Sequence, residues 1–259
     1  MKRHPHRVPR LATHAVLALL IAAAPITVGA GGQKPAKGPT KSLKLDHFWC
    51  YIVSSQTPNP TIDVSLEDQF QTVGVSVGEP LQFCNPVQKT IEGVVTPILD
   101  LTNHLTMYNL LTAAPLPIPR TFTATNQFGT TQFTVDKATS LMVPTQKNTL
   151  AFPTRLDHYL CYPVNGASVD QPATLTDQFQ TRDVVVAKPA LFCNPVEKTV
   201  GNVTTRIQNK AAHLLCYNTR VPRSTDARDI DVVNQFESDT FTVTTTQLLC
   251  APSEKTLVS

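Results

Sequence analysis

Short runs of alternating apolar and polar residues recur along the chain after residue 45. They flank each of four Gln-Phe dipeptides, with Val64 and Leu66 before the first dipeptide and Val75 and Val77 after it. A period of two in runs rich in Val, Thr and Phe is typical of half-buried β-strands. An Asp or Asn precedes each dipeptide, and its side chain can bond the backbone two residues further on, which closes a turn. Each Gln-Phe therefore marks a predicted β-hairpin.

The hairpins belong to four copies of one unit. Each copy begins with His, has a Cys position three residues later and Tyr next to it, and places a second Cys position 14 residues after the Phe of Gln-Phe. A Pro and a Lys follow the second Cys position. The repeated side chains are His47, His104, His158 and His213; Tyr51, Tyr108, Tyr162 and Tyr217; and Lys89, Lys147, Lys198 and Lys255. We predict about four strands for each unit.

The two Cys positions are kept or lost together. Units one, three and four carry both cysteines, whereas unit two has Met107 and Met142 at these positions. A joint loss indicates that the two thiols form one bond, since an exported chain meets an oxidising compartment. The predicted disulfides are Cys50–Cys84, Cys161–Cys193 and Cys216–Cys250. Unit two has only the soft packing of methionine in their place, and we expect it to depend more on its neighbours.

The four units fall into two types in the order A-B-A-B. Units one and three share Leu-Asp-His and Phe-Cys-Asn-Pro-Val, and units two and four share His-Leu and Asn-Gln-Phe. A duplicated pair of units of about 100 residues has the size of an ordinary domain. The prediction is two similar all-β domains, each a β-sandwich or barrel-like. Domain one covers 45–148 (units 45–90 and 103–148), a linker covers 149–155, and domain two covers 156–256 (units 156–199 and 212–256).

The first 44 residues have a different composition. Residues 1–30 combine a basic start, an apolar run and small residues before a cleavage point, as a signal peptide does, and residues 31–44 form a predicted flexible linker rich in Lys, Gly and Pro. Leader and linker hold eight of the 22 basic residues, which leaves residues 45–259 with 14 basic and 19 acidic residues, a net charge of −5. This acidic balance disfavours nucleic-acid binding. We expect cleavage and no membrane span after it, with an uncleaved anchor over 11–30 as the alternative.

The repeated His residues are the obvious candidates for chemistry. Asp46 and Asp157 precede two of them, but neighbouring side chains on a strand point to opposite faces, so neither Asp is placed to orient its His. A zinc site from His and Cys is the rival interpretation, yet His104 persists where both cysteines are absent. We therefore predict no catalytic residue, no metal ligand and no cofactor, and a structural role for Cys50, Cys84, Cys161, Cys193, Cys216 and Cys250.

One segment of the unit varies in length. The distance from the first Cys position to Gln is 19, 20, 17 and 19 residues in the four units, whereas the distance from Phe to the second Cys position is constant. The variable segments are 54–61, 111–121, 165–172 and 218–228. Binding residues are often carried on such loops, so we expect any partner, a protein or glycan at the cell surface, to contact them.

The ordered motifs H-x-x-C-Y, [DN]-Q-F and [FL]-C-x-P-x-x-K, in tandem after a signal peptide, resemble an uncharacterised family of bacterial exported proteins, a domain of unknown function. The resemblance covers nearly all of 45–256 and implies export and repeat architecture, but no activity. We expect a secreted, periplasmic or cell-surface protein, stabilised by disulfides, with a non-catalytic binding or structural role at the cell envelope or outside the cell. The alternative is an exported hydrolase or metal-dependent enzyme with its site in inter-strand loops.

Overall fold

The computed structural model describes residues 45–58, 61–221 and 227–258. These residues lie in one compact unit, Ser42–Ser259. The predicted signal peptide, 1–30, and the predicted linker, 31–44, lie outside the described residues.

The described residues form strands and turns without a helix, and the all-β prediction is confirmed. Unit one and the segment after it form β1 (His47–Ser55), β2 (Ile62–Glu67), β3 (Thr72–Ile91) and β4 (Val94–Thr96). Unit two forms β5 (Leu105–Asn126), β6 (Gly129–Pro144) and β7 (Gln146–Lys147). Unit three and the segment after it form β8 (His158–Pro163), β9 (Gln171–Thr176), β10 (Thr181–Val200) and β11 (Val203–Thr205). Unit four forms β12 (His213–Arg220), β13 (Arg228–Val233) and β14 (Ser238–Leu257).

Two strands from each unit pair into a closed antiparallel ring. The order is β1–β3–β5–β6–β8–β10–β12–β14, and β14 pairs with β1 where Phe48 meets Cys250. The two halves of the chain also join at β6 and β8, where Leu141 is opposite Leu160. The prediction placed a sandwich or barrel in each half, whereas the single ring includes strands of both halves. The division into domains 45–148 and 156–256 is not confirmed, because either half alone would leave the open strand edges that ring closure removes.

The third and fourth strands predicted for a unit are one continuous strand. β3, β10 and β14 each have 20 residues, of which the first part belongs to the hairpin and the later part to the ring. In β3 the register with β5 shifts on both sides of Pro80. Such bulges bend and twist a strand without a turn, and a period-two pattern does not reveal them. In unit two, β5 also absorbs the predicted loop 111–121.

Each hairpin pairs with the opposite unit rather than with its neighbour in the ring. The hairpin of unit one pairs with the end of β10 in unit three, and the hairpin of unit three pairs with the end of β3 in unit one. Units two and four exchange their hairpins in the same way. The central register partners are Leu66–Lys198, Leu175–Lys89, Val232–Lys147 and Ala124–Lys255. The A units therefore interlock with each other, and so do the B units.

The ring strands bury a different apolar cluster on each face. The disulfide face carries the cysteines, Met107 and Met142. It also carries residues two positions away on the same strands, such as Phe48 and Tyr159. All four units contribute to this cluster, and we assign it to the inside of the ring, which side chains fill in an eight-stranded closed sheet. The aromatic face carries Trp49 and the repeated Tyr residues, and the apolar side chains of the hairpins pack on it.

The structure contains the three predicted disulfides, each between directly opposed residues of two ring strands. In unit two, Met107 is opposite Met142 in the same register. Both methionines are buried, so they fill the space that a bridge occupies in the other units. No helix long and apolar enough to cross a membrane occurs among the described residues.

We expect unit two to open first, because it lacks a covalent link between its ring strands. In hydrogen exchange, amides of β5 and β6 should exchange faster than those of β8 and β10. Replacing Met107 and Met142 together by Cys should form a fourth bridge, worth about 3–4 kcal/mol in the chain-entropy model. After the loss of Met packing, we expect Tm to rise by about 5–10 °C.

The single variant Met142→Cys is the matched control, since it removes the packing without forming a bond, and it should lower Tm. Slower exchange in β5 and β6 than in the other ring strands would contradict the proposed weakness of unit two.

Candidate functional site

The four repeated His side chains are buried at the starts of ring strands, and none is more than 8% exposed. Burial removes water from the imidazolium form, and the Lys of the same unit adds repulsion. Together they lower the pKa to about 3 for His47, His158 and His213, and to about 4 for His104. Each His is therefore neutral near pH 7 and is shielded from a substrate in solution.

Asp46 and Asp157 precede two of these His residues, and both bind backbone N–H groups of a later segment. Asp46 accepts hydrogen bonds from the backbone N–H of Leu99 at 2.6 Å and the side chain of Asn103 at 2.9 Å. Asp157 accepts from the backbone N–H of Gln208 at 2.6 Å and of Asn209 at 3.0 Å. Both carboxylates thus bind the connection that follows an A unit, and they point away from the neighbouring His, as the alternation of strand side chains predicts. They form no catalytic pair with His.

Each repeated Lys reaches from the end of its unit onto the Gln-Phe turn of the next unit. Its Nζ lies 4.3–5.7 Å from the Phe ring centroid in the pairs Lys89–Phe128, Lys147–Phe179, Lys198–Phe236 and Lys255–Phe70. The first three lysines also donate to the adjacent Gln127, Gln178 and Gln235. Lys255 donates to Asn194 at 2.6 Å, and its contact with Phe70 links the last unit to the first. Burial lowers the pKa of Lys147, Lys198 and Lys255 to about 8.

The repeated Tyr residues join opposite A units through the turn carboxylates. The hydroxyl of Tyr51 donates to Asp177 at 2.8 Å, and the hydroxyl of Tyr162 donates to Asp68 at 2.9 Å. Asn85 and Asn194 donate to the same two carboxylate oxygens at 2.8 Å. A carboxylate only accepts hydrogen bonds, and here it meets donors alone.

The B units use an amide at the same place. Asn234 donates to the Tyr108 hydroxyl at 2.6 Å, and Asn126 donates to the Tyr217 hydroxyl at 3.0 Å. Asn126 also donates to Ser253 at 2.9 Å. An amide has the donor hydrogens that these hydroxyl oxygens accept. The Asp or Asn before each Gln-Phe therefore matches its partners in the opposite unit, a relation that the sequence shows only as the A-B-A-B order.

The variable segments follow the first ring strand of each unit, and the structure describes them in part. Residues 59–60 and 222–226 lie outside the described residues. The segment 165–172 of unit three meets the segment of unit four through an exposed ion pair between Arg220 and Asp170, 2.5 Å apart. These segments remain the predicted contact surface.

A cleft of about 450 Å³ lies between the hairpin of unit one and the end of unit three, and no sequence motif predicts it. Its lining residues are Glu67, Asp68, Gln69, Pro195, Glu197, Arg206, Ile207 and Lys210. Glu67 and Glu197 are directly opposed on neighbouring strands. Directly opposed residues have Cβ atoms about 4.5–5.5 Å apart, and like charges at this spacing repel. Arg206 and Lys210 line the same cleft, which therefore holds charges of both signs.

The carboxylate pair occurs at one of four equivalent positions within the described residues. The other three pairs are Thr176–Gln88, Val233–Gln146 and Thr125–Glu254. Because the repeat does not require two carboxylates here, the pair is a feature of this cleft alone. Glu67 belongs to unit one and Glu197 to unit three. The sequence does not show that these two positions are opposed, because it does not show which unit receives a hairpin.

The cysteines offer no free thiol, since all six are in disulfides. Within the described ranges, no group of three or more His, Cys, Asp or Glu side chains is arranged to hold a metal ion. The repeated His and Cys side chains are buried, and the cleft brings the charged side chains of Glu67, Glu197, Arg206 and Lys210 to one surface.

These observations define a disulfide-stabilised all-β repeat protein whose units close into one ring. The chain belongs to the family described as a repeat of unknown function (DUF7450), which matches residues 104–252, from the His of unit two to the Pro of unit four. This confirms the resemblance to an uncharacterised repeat family. No curated protein matches the chain, and no solved structure matches it.

The buried His residues predict a loss of stability in acid. The pKa of His158 is about 3 in the folded protein against 6.5 for the free side chain, so between these values the unfolded chain binds more protons and stability falls as pH decreases. In urea unfolding at pH 7 and pH 4, His158→Gln should lose less stability on acidification than the unsubstituted chain, by about 2–3 kcal/mol.

The equivalent variant His213→Gln should behave in the same way, since its pKa is shifted by the same causes. An unchanged pH dependence in both variants would show that these His residues are not the acid-sensitive groups.

Proposed function

We propose that this protein is exported and acts as a non-catalytic binding or structural scaffold at the cell envelope or outside the cell. The observation that carries the proposal is the inside of the ring, where three fully buried disulfides hold the strands of three units. Disulfides form and persist in oxidising compartments such as the periplasm or the cell exterior. A scaffold built around them suits a protein that works there.

The use of the repeated polar side chains supports a non-catalytic role. The Lys, Tyr and turn Asp or Asn residues bind other parts of the same chain, as the contacts at each unit boundary describe, and the His residues are buried. A catalytic residue needs an unsatisfied polar group within reach of a substrate, and these side chains are mostly buried and engaged. They support a rigid frame that presents its variable segments.

The partner surface follows from the same argument. The variable segments differ among the units in length, and the cleft beside Glu67 and Glu197 adds a carboxylate pair that the other units lack. Binding residues on loops held by a rigid frame are a common arrangement. The proposed partner is a protein or a glycan at the cell surface.

The first test is the intact mass of the full chain expressed in a bacterium and recovered from the periplasm or medium, with denaturing alkylation but no reductant. We expect loss of residues 1–30, a mass six hydrogens below that of the reduced chain of six cysteines, and no alkylation. Peptide mapping should return the three bonds of the structure.

A version that starts at residue 31 and stays in the cytoplasm is the control, and its cysteines should be alkylated. Free thiols in the exported chain, or retention of the full chain in the cytoplasm, would overturn the proposal.

The second candidate is an exported hydrolase that uses the carboxylate pair of the cleft. Two carboxyl groups at close spacing are the catalytic pair of glycoside hydrolases, and Glu67 and Glu197 are opposed in a cleft of suitable size. For this enzyme, Glu67→Gln and Glu197→Gln should each lower glycan hydrolysis at least about 100-fold with Tm unchanged.

Glu254→Gln is the matched control, since Glu254 occupies the position equivalent to Glu197 in unit four and lies outside the cleft. The scaffold proposal expects no turnover by the unsubstituted chain on a panel of cell-wall and exopolysaccharide glycans. Turnover that depends on both glutamates would establish the hydrolase instead.

A further inference from the structure

Three polar side chains lie beside the methionine pair on the disulfide face. Gln82 is opposite Met107, and Met107 is opposite Met142. Two residues further along the same strands, Asn109 is opposite Ser140. Side chains at positions i and i+2 lie on one face of a strand. Gln82, Asn109 and Ser140 therefore project from three adjacent strands toward one part of the ring interior.

Three oxygen atoms of this group are buried without a hydrogen-bond partner in the protein: Oε1 of Gln82, Oδ1 of Asn109 and Oγ of Ser140. Gln82 is 6% exposed and Ser140 is 3% exposed. The amide nitrogen of Gln82 donates to Gln247 at 2.5 Å, which directs its oxygen away from Gln247. Leaving such groups unpaired in the interior is costly.

The position of Asn109 is fixed by the neighbouring strand. A Cβ atom added at residue 78 would lie 2.5 Å from Oδ1 of Asn109 and 2.5 Å from a methyl carbon of Leu111. Glycine at position 78 thus leaves the space into which the Asn109 oxygen projects. Glycine within a strand often marks such a close approach of a neighbouring group.

We propose that Gln82, Asn109 and Ser140 bind one ordered water molecule inside the ring beside the methionine pair. A water molecule can donate its two hydrogens to the amide oxygens of Gln82 and Asn109 and accept the hydroxyl hydrogen of Ser140. Three hydrogen bonds are the usual number for a buried water, and this arrangement satisfies all three oxygens.

The combination of Asn109 and Ser140 occurs in unit two alone, although unit one has Gln82 at the position of Ser140 and unit four has Asn218 at the position of Asn109. The residues equivalent to Ser140 in units three and four are Leu191 and Leu248, which pack in the apolar interior. Unit two, which lacks a disulfide, thus has a hydrated polar site where these units have apolar side chains and a covalent bond. The buried water gives unit two a directional link among β3, β5 and β6 in place of the bridge.

The test is a high-resolution crystal structure of the exported chain, combined with thermal unfolding of Ser140→Ala. We expect a water peak at about 2.7–3.2 Å from all three oxygens. The variant should lower Tm by about 2–4 °C, because it removes one partner of the bound water. Ser65→Ala, at an exposed position of β2, is the control and should change Tm by less than about 1 °C.

Three results would overturn the proposal: no peak at this place, a direct hydrogen bond between Ser140 and Asn109, or a peak whose anomalous scattering identifies a metal ion. A higher Tm of Ser140→Ala would also overturn it, because it would mean that the hydroxyl is unpaired in the folded protein. The crystal result stands even if the variant fails to fold.

Discussion

The exchange of hairpins between opposite units is the constraint on which the rest of this structure depends. A ring strand of one unit finishes beside the hairpin of the opposite unit, and Leu66 opposite Lys198 is one of four such meetings. No unit can bury its own aromatic face, since part of the cover comes from across the ring. Units that cannot bury an apolar face alone gain stability only when the set is complete. The contact of Lys255 with Phe70 joins the last unit to the first. Each unit therefore contacts the next one around the whole ring.

This constraint also explains why the units alternate. A unit meets the opposite unit through Tyr and the turn Asp or Asn, and it meets the next unit through Lys, Gln and Phe. The opposite contact must match donors with acceptors, as in Tyr51 with Asp177 and Asn234 with Tyr108. The contact with the next unit tolerates either type, since Lys and Gln-Phe occur in all four. The A-B-A-B order thus preserves complementarity across the ring while leaving the neighbouring contact unchanged.

The sequence predicts the strands, the turns and the cysteine pairs because these depend on local periodicity and on the joint loss of Met107 and Met142. It does not predict which unit receives a hairpin, because a period of two specifies a buried face and no partner. Nor does it predict that the last two strands of a unit are one strand, since the bulges beside Pro80 are not visible in a period of two. The cleft beside Glu67 and Glu197 depends on the hairpin exchange, so no motif could indicate it. The four His residues are neutral because the folded chain buries them. The sequence shows that they are repeated but not that they are buried.

Function in such a repeat has to be sought where the symmetry fails. A position that is the same in four units has four similar structural tasks, and a residue recruited for binding or catalysis at one of them would lose its structural contact. The opposed Glu67 and Glu197 carry no such repeated task, since the equivalent positions in the other units hold no carboxylate pair. A pair that the scaffold tolerates without needing it is a stronger indication of function than any repeated side chain here. The polar interior beside Met107 and Met142 departs from symmetry for a different reason, since its groups lie buried within the ring and serve cohesion. Of these two departures from the repeat, only the glutamate pair lines a cleft that a partner can reach. The polar residues beside the methionines are buried and contribute to the cohesion of the ring.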